Sequence, residues 1–185
     1  NSLISTIAGT GAFGYNGDGI AATTAQIYNP RAAVADAAGN IYFSEYSGNR
    51  VRKVTAATGL ISTVAGTGTG GYNGDGIAAT SAHLSGPMGV ALDSAGNIYI
   101  ADLNNSRVRK VTAATGLIST VAGTGTPGNN GDGIAATSAQ IMNAAGVAVD
   151  GAGNLYIADA VDHRIRKVTA ATGLISTVAG TGSGG

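Results

Sequence analysis

Leu60-Ile-Ser-Thr-Val-Ala-Gly-Thr-Gly68 decides the architecture. The same nine residues open again at Leu117 and Leu174, and once more, with Ile7 in place of Val, at Leu3. The spacing is 57 residues each time, and the copies 60–116 and 117–173 agree at roughly seven positions in ten. Self-similarity at a fixed period is the mark of stacked or radial arrays. The chain 1–185 therefore reads as one repeat segment, made of copies 3–59, 60–116 and 117–173 plus an extra outer strand at 174–180. Residues present in every copy serve the repeat, so function is sought where the copies differ.

Working outward from that stretch, one copy resolves into four short runs. Met88–Asp93 is apolar and ends in the turn signal Ser94-Ala-Gly-Asn97. Ile98–Asp102 is β-branched and aromatic, Arg107–Thr112 alternates, and Leu117–Gly123 is the fourth run. Strands of five to seven residues joined by loops of about four form an antiparallel meander. A four-stranded meander repeated at this length is the sequence form of a propeller blade. The longer link between copies carries Gly-Asp-Gly-Ile-Ala-Ala-Thr, whose alanines predict one or two helical turns with Asp132 as the cap.

Composition agrees with an all-β fold. Gly numbers 31, Trp and Cys are absent, and only 11% of residues are charged, against about 25% in an average domain. Net charge is zero, which opposes nucleic-acid binding, since phosphates need surplus positive charge. Without Cys there is no disulfide, thiolate nucleophile or Cys-based zinc site, and no apolar run approaches the length of a membrane span. The chain opens at Asn1, mid-repeat and without a Met, which reads as a processed or excised piece.

Gly89–Val111 (GVALDSAGNIYIADLNNSRVRKV) and Gly146–Val168 (GVAVDGAGNLYIADAVDHRIRKV) resemble NHL repeats, and the ISTVAGTG…GDG link resembles the long-repeat bacterial form and the propeller of teneurin-like surface proteins. The resemblance implies a β-propeller, usually six-bladed. The first copy departs from it, with Ala32-Ala33 for Gly-Val and Ser44-Glu45 for Ala-Asp. Three four-stranded blades do not close a ring and leave an apolar face at each end. We therefore expect half of a six-bladed ring, completed by a homodimer with one terminal strand swapped or surplus.

A meander puts alternate loops at opposite ends. At one end the copies read AAGN, SAGN and GAGN, and TAATG three times. At the other the loops Tyr46–Asn49, Asn104–Arg107 and Val161–Arg164 differ, as do the link ends YNPRA, SGPMG and MNAAG. Two readings stand: drift in solvated loops, or a recognition face on a rigid scaffold. On the second, Tyr28, Arg31, Glu45 and Tyr46 gather in the first copy, and His83, Asp162 and His163 are the other single-copy polar residues. Tyrosine and arginine are common binding anchors, and tyrosine faces suit sugars. Phe13, in the link, reads as packing.

The repeated charges read as structural. Asp36, Asp93 and Asp150 head Asp-x-x-Gly-Asn turns, although six such carboxylates in a ring could hold an axial cation. Asp102 and Asp159, with Glu45 at the equivalent place, precede arginine clusters. Asp102 is expected to pair with Arg107 or Arg109, and Asp159 with Arg164 or Arg166. Each Asn-Gly-Asp-Gly loop offers one carboxylate, too few for calcium. With two histidines in different copies and no nucleophile indicated, catalysis is not expected, and neither is a metal or cofactor. Metal-dependent hydrolases and lyases occur on related propellers and stand as the less favoured reading. Asn104-Asn105-Ser106 also fits a glycosylation acceptor. The sequence thus points to a non-enzymatic scaffold that binds a protein or glycan, outside a bacterial cell or on its surface. The alternative is a self-assembling structural subunit.

Overall fold

The computed structural model describes residues 3–183. It consists of three antiparallel sheets. The first contains β1 (Ile20–Ala21), β2 (Pro30–Ala35), β3 (Ile41–Glu45), β4 (Arg50–Val54) and β5 (Leu60–Ala65), in the spatial order β1-β5-β4-β3-β2. The second repeats this with β6 (Ile77–Ala78), β7 (Pro87–Leu92), β8 (Ile98–Asp102), β9 (Arg107–Val111) and β10 (Leu117–Ala122). The third does so with β11 (Ile134–Ala135), β12 (Ala144–Val149), β13 (Leu155–Asp159), β14 (Arg164–Val168) and β15 (Leu174–Ala179). Among the described residues no helix is long and apolar enough to cross a membrane.

Each sheet thus has five strands rather than the four expected. The meander of four is present, and the fifth is a two-residue strand drawn from the link: Ile20 lies opposite Ile61, and Ala21 opposite Leu60. An outer strand would otherwise present unpaired N–H and C=O groups along its edge, and the passing link satisfies them. The alanines after it form only a three-residue 3₁₀ turn, Ala136–Ser138 in the third copy, with no side-chain cap. Asp132 is not that cap, because its carboxylate takes Arg166 and Thr177 instead. The turn closes when Ala139 N–H reaches back to Ala136 O, and both alanines are fully packed.

Sheet boundaries are offset from the repeat frame, because the strand that opens a sequence copy is the outer long strand of the preceding sheet. Leu174–Ala179 accordingly completes the third sheet, pairing with β14. Leu3–Ala8 is the copy without a sheet, and Leu3 and Ile4 are fully exposed.

Consecutive sheets stack face to face, consistent with a β-propeller. Alternation along β8 turns Ile98 and Ile100 toward the sheet before it and Tyr99 and Ala101 toward the sheet after it. Ile98, Ile100, Val111 and Ile118 pack with Val51 and Ala65 of the first sheet, while Tyr99, Ala101, Val108 and Ala122 pack with Leu155, Ile157, Val168 and Ile175 of the third. Burying each such large aliphatic side chain contributes about 1.5–3 kcal/mol. The inner strands come close enough that a Cβ on Gly89 would stand 2.9 Å from Gly146 Cα.

Backbone bonds tie each sheet to the next. Gly66 N–H donates to Ala79 O at 2.9 Å and Thr67 N–H to Ala82 O at 3.0 Å, and Gly123 and Thr124 repeat this toward Ala136 and Ala139. The departures in the first copy fit the same joint. Ser44 Oγ, where the other copies have Ala, donates to Met88 O of the second sheet and accepts from Ala32 N–H.

Candidate functional site

The loop after each second long strand and the link end before each inner strand share one end of the blade. Tyr46 N–H donates to Asn29 O, Asn104 N–H to Ser85 O and Ala160 N–H to Asn143 O, each at 3.0 Å. The segments that vary among copies therefore lie together.

In the first blade this end carries an aromatic and cationic cluster. Arg31 stands over the Tyr46 ring at 5.2 Å, and Tyr28 meets Phe13 with ring centroids 5.5 Å apart. Phe13 is 77% exposed and Tyr28 41%, so Phe13, read from sequence as packing, forms an open pair with Tyr28. Nothing in its local sequence marks this, because the contact spans the whole link. Glu45 belongs to the same neighbourhood but is fully buried, accepting from Tyr28 N–H at 3.0 Å and approaching Arg52 at 3.5 Å. It supports Tyr28 from beneath and does not face outward.

The remaining single-copy residues are dispersed. His83 is half-buried, and its backbone N–H donates to Asn73 Oδ1. His163 is exposed with φ of 50°, at the left-handed position that Asn49 and Ser106 fill in the other blades. Asp162 binds Arg164 and Asn129. Two histidines in separate blades do not converge, and among the described residues no group of three His, Cys, Asp or Glu is placed to hold a metal ion.

The repeated charges form buried ladders. Arg109 is fully buried; it reaches Asp75 at 2.9 Å, Gly74 O at 2.8 Å and Asp102 at 3.6 Å. Arg107 does not pair with Asp102. It is one alternation further along β9, where it binds Asn105 O and Thr124 O and lies 4.0 Å from the Tyr72 ring, which Arg109 flanks at 4.8 Å. Tyr15 holds Arg50 and Arg52 in the same way. In the third blade Arg166 takes Asp132 at 2.9 Å and stands 4.0 Å from Asp159, while Arg164 pairs with Asp162. The tyrosine stacks escaped the sequence reading, although one signal was available: Tyr15 and Tyr72 recur one repeat apart, and Asn129 breaks the series.

Burial pushes the Asp102 carboxyl up to about 6, against the pull of Asn105, Ser85 and Arg109. Burial likewise raises Glu45 and Asp159. The turn acids go the other way. The Asn40 side chain holds Asp36 below the usual carboxylate range, and Asn154 does the same for Asp150. Asp93 is partly desolvated, yet Asn97 and the turn amides still lower it. Each turn acid is saturated: Asp93 accepts from Ala95 N–H, Asn97 N–H, Asn97 Nδ2 and Tyr99 Oη.

Residues 68–128 match the family model of the teneurin NHL domain, so the NHL-type likeness holds for that stretch. The chain is 31% identical over 99 residues to the protein SUPPRESSOR OF QUENCHING 1, chloroplastic, of Arabidopsis thaliana, covering 54% of this chain and 9% of that one. Among solved structures, a Bacteroides thetaiotaomicron protein of unknown function is 30% identical with a TM-score of 0.62, over 70% of this chain and 32% of that one. An auxiliary nutrient binding protein from Bacteroides ovatus is 22% identical with a TM-score of 0.62, over 85% and 39%. A virginiamycin B lyase from Staphylococcus aureus is 18% identical with a TM-score of 0.51, over 80% and 40%. The last two likenesses speak for the fold alone, and the chain spans less than half the length of each of these proteins.

Proposed function

We propose that the chain is a non-enzymatic propeller segment whose variable loop end binds a protein or a glycan. One observation carries this reading. The exposed pair Phe13–Tyr28, and exposed Arg31 over half-buried Tyr46, occur in one blade only and sit at the end where the copies diverge. Aromatic rings with an adjacent guanidinium supply rigid apolar area and directed donors, which suits both classes of ligand. The carboxyls that burial raises, Glu45, Asp102 and Asp159, have no exposed surface, so a substrate does not reach them for acid–base chemistry. A protein described as an auxiliary nutrient binding protein shares the fold, which fits a binding scaffold.

The test is to pan the immobilised chain against a glycan array and a peptide library, then to measure the recovered ligands on variants. Tyr28→Ala and Tyr46→Ala should each weaken binding by tenfold or more, while Lys53→Ala, away from the loop end, leaves it unchanged. Recovered ligands indifferent to both tyrosines would refute the loop-face reading. A second reading, a self-assembling subunit, is favoured by a different observation, the exposed apolar side chains Ile165 and Val178 on the third sheet.

A further inference from the structure

We propose that the cleft between the second and third sheets is a further binding site, for a small monocarboxylate with a short apolar tail. It lies at the end opposite the variable loops and stands independently of the loop-end reading. The repeated lysines point to it. Every other charge that recurs in all three copies is hydrogen-bonded inside the fold. Arg52, Arg109 and Arg166 hold a carboxylate and a glycine carbonyl. Arg50, Arg107 and Arg164 each donate to a threonine carbonyl. The repeated acids accept from amides or from guanidinium groups. Lys53, Lys110 and Lys167 differ. Among the described residues each ammonium meets only a ring, that of Tyr42, Tyr99 or Tyr156, at 5.3, 5.3 and 5.6 Å. A ring engages one side of an ammonium and leaves its N–H donors free.

Lys110 lines a cleft of about 430 Å³ whose two walls are neighbouring sheets inside the chain. That volume falls within the range of about 300–1,000 Å³ usual for small-molecule sites. Lys110 and Tyr99 lie opposite each other on β9 and β8, so they share the face that looks into the cleft. The inner part is the core of the joint: Tyr99, Leu155 and Val168 are buried there, and Val121 packs against them. Small side chains, Ala135 and Ala170, border the mouth, and both are exposed. The half-buried Lys110 adds one positive charge. Such a site asks for one negative charge at the mouth and a few apolar carbons inside. The ammonium–carboxylate bond is charge-assisted and stronger than a neutral one, and the carbons leave water against Leu155 and Val168. Asp93 does not fill this role, because its carboxylate already holds its own turn and the Tyr99 hydroxyl. A phosphate calls for several donors, which a single ammonium does not match.

Methyl-resolved NMR of the 185-residue chain, titrated with hexanoate, tests this. The Leu155 and Val168 methyls should shift saturably. Hexanol, of the same length but neutral, should bind about tenfold more weakly, and inorganic phosphate should move neither methyl. Lys110→Met keeps an apolar stem on Tyr99 and removes the charge; it should weaken hexanoate about tenfold and leave hexanol unchanged. Ala170→Leu fills the mouth from an exposed turn and should abolish binding of both. Lys53→Met, in the preceding joint, should leave the hexanoate shifts at Leu155 and Val168 as they are in the parent. Circular dichroism verifies that each variant keeps the fold, and the comparison of hexanoate with hexanol needs no variant at all. Absence of saturable shifts with hexanoate overturns the proposal. So does equal affinity for hexanol, an equal response to phosphate, or hexanoate binding indifferent to Lys110→Met.

Discussion

Replacing Arg109 with Met should destabilise the chain strongly at pH 8 and much less at pH 5. Asp102 has no exposed surface, and its two carboxylate oxygens take Ser85 N–H at 2.7 Å and Asn105 Nδ2 at 2.8 Å, with Arg109 at 3.6 Å. Burial nevertheless lifts its pKa to about 6. Measured from the ordinary 3.8, at 1.36 kcal/mol per unit, the ionised form is held at a cost of about 3 kcal/mol even with Arg109 present. Opposite charges 3.6 Å apart attract by roughly 4–5 kcal/mol at an effective dielectric of about 20. At pH 8 the acid is charged, and removing its partner strands a buried charge, at a loss of about 3–5 kcal/mol. At pH 5 the acid is already largely neutral, the attraction is mostly gone, and the loss should fall to roughly 1–2 kcal/mol, reflecting the bond to Gly74 O and the Tyr72 stack. Urea unfolding of parent and variant at both pH values reads the difference directly. The double variant Asp102→Asn with Arg109→Met should recover most of the loss at pH 8. Equal losses at pH 5 and pH 8, or a double variant as unstable as the single one at pH 8, would refute the reasoning.

Three further outcomes follow from the same structure. Stability should peak at about pH 4: Glu45, Asp102 and Asp159 have raised pKa values, so their contribution is full below the unfolded value and is lost as pH rises through about 6 for Asp102. Asp36, Asp93 and Asp150 have lowered values, so theirs is lost only as pH falls below 3.8, and calorimetry across pH 3–8 checks both limbs. Gly123→Ala should cost about 2–4 kcal/mol, because φ is 93° and the new Cβ would stand 2.3 Å from Ser106 O, whereas Gly116→Ala, with φ of 69° in open space, should cost about 1; urea midpoints separate the two. Ser44→Ala, which removes the tie to Met88 O, should cost about 1 kcal/mol by the same measurement.

The four long strands of each blade were legible because β-branched residues alternate between turn signals, and those signals are spent on backbone bonds that every copy needs. The fifth strand was not, since two residues such as Ile20-Ala21 carry no period and pair only because an outer edge lies beside them. The alanines of Ala136–Ser138 suggested helix by propensity, but a buried turn followed by an extended chain overrode it. Asp102 and its arginines were placed correctly as neighbours on the chain. Choosing Arg109 over Arg107 needed the register of β8 against β9, where Asp102 lies opposite Arg107 yet its carboxylate meets Arg109. Glu45 drew attention as a single-copy residue; its burial depends on Tyr28 and Arg52, which are 17 and 7 residues away.

Divergence at the loop end is therefore not all of one kind. In the first two blades the outer arginine, Arg50 or Arg107, lies on a tyrosine of the link at 4.0 Å. The third blade has Asn129 where Tyr72 stands in the second, and there Arg164 is held by Asp162, which Asn129 in turn binds. Two chemistries thus meet one demand, the anchoring of a guanidinium that also donates to the carbonyl of Thr67, Thr124 or Thr181. The change at Asp162 is compensated inside its own blade and calls for no ligand. The same reasoning removes Glu45, whose oxygens serve Tyr28 N–H and Arg52. It does not remove Tyr28, Arg31 or Tyr46, because the second and third blades place no aromatic or guanidinium group at those three positions, with Ser85, Met88 and Leu103 in one and Met142, Ala145 and Ala160 in the other. A cluster that no other blade needs for folding is where selection for binding would leave its mark, and the loss of affinity on Tyr28→Ala without loss of stability is the form that mark should take.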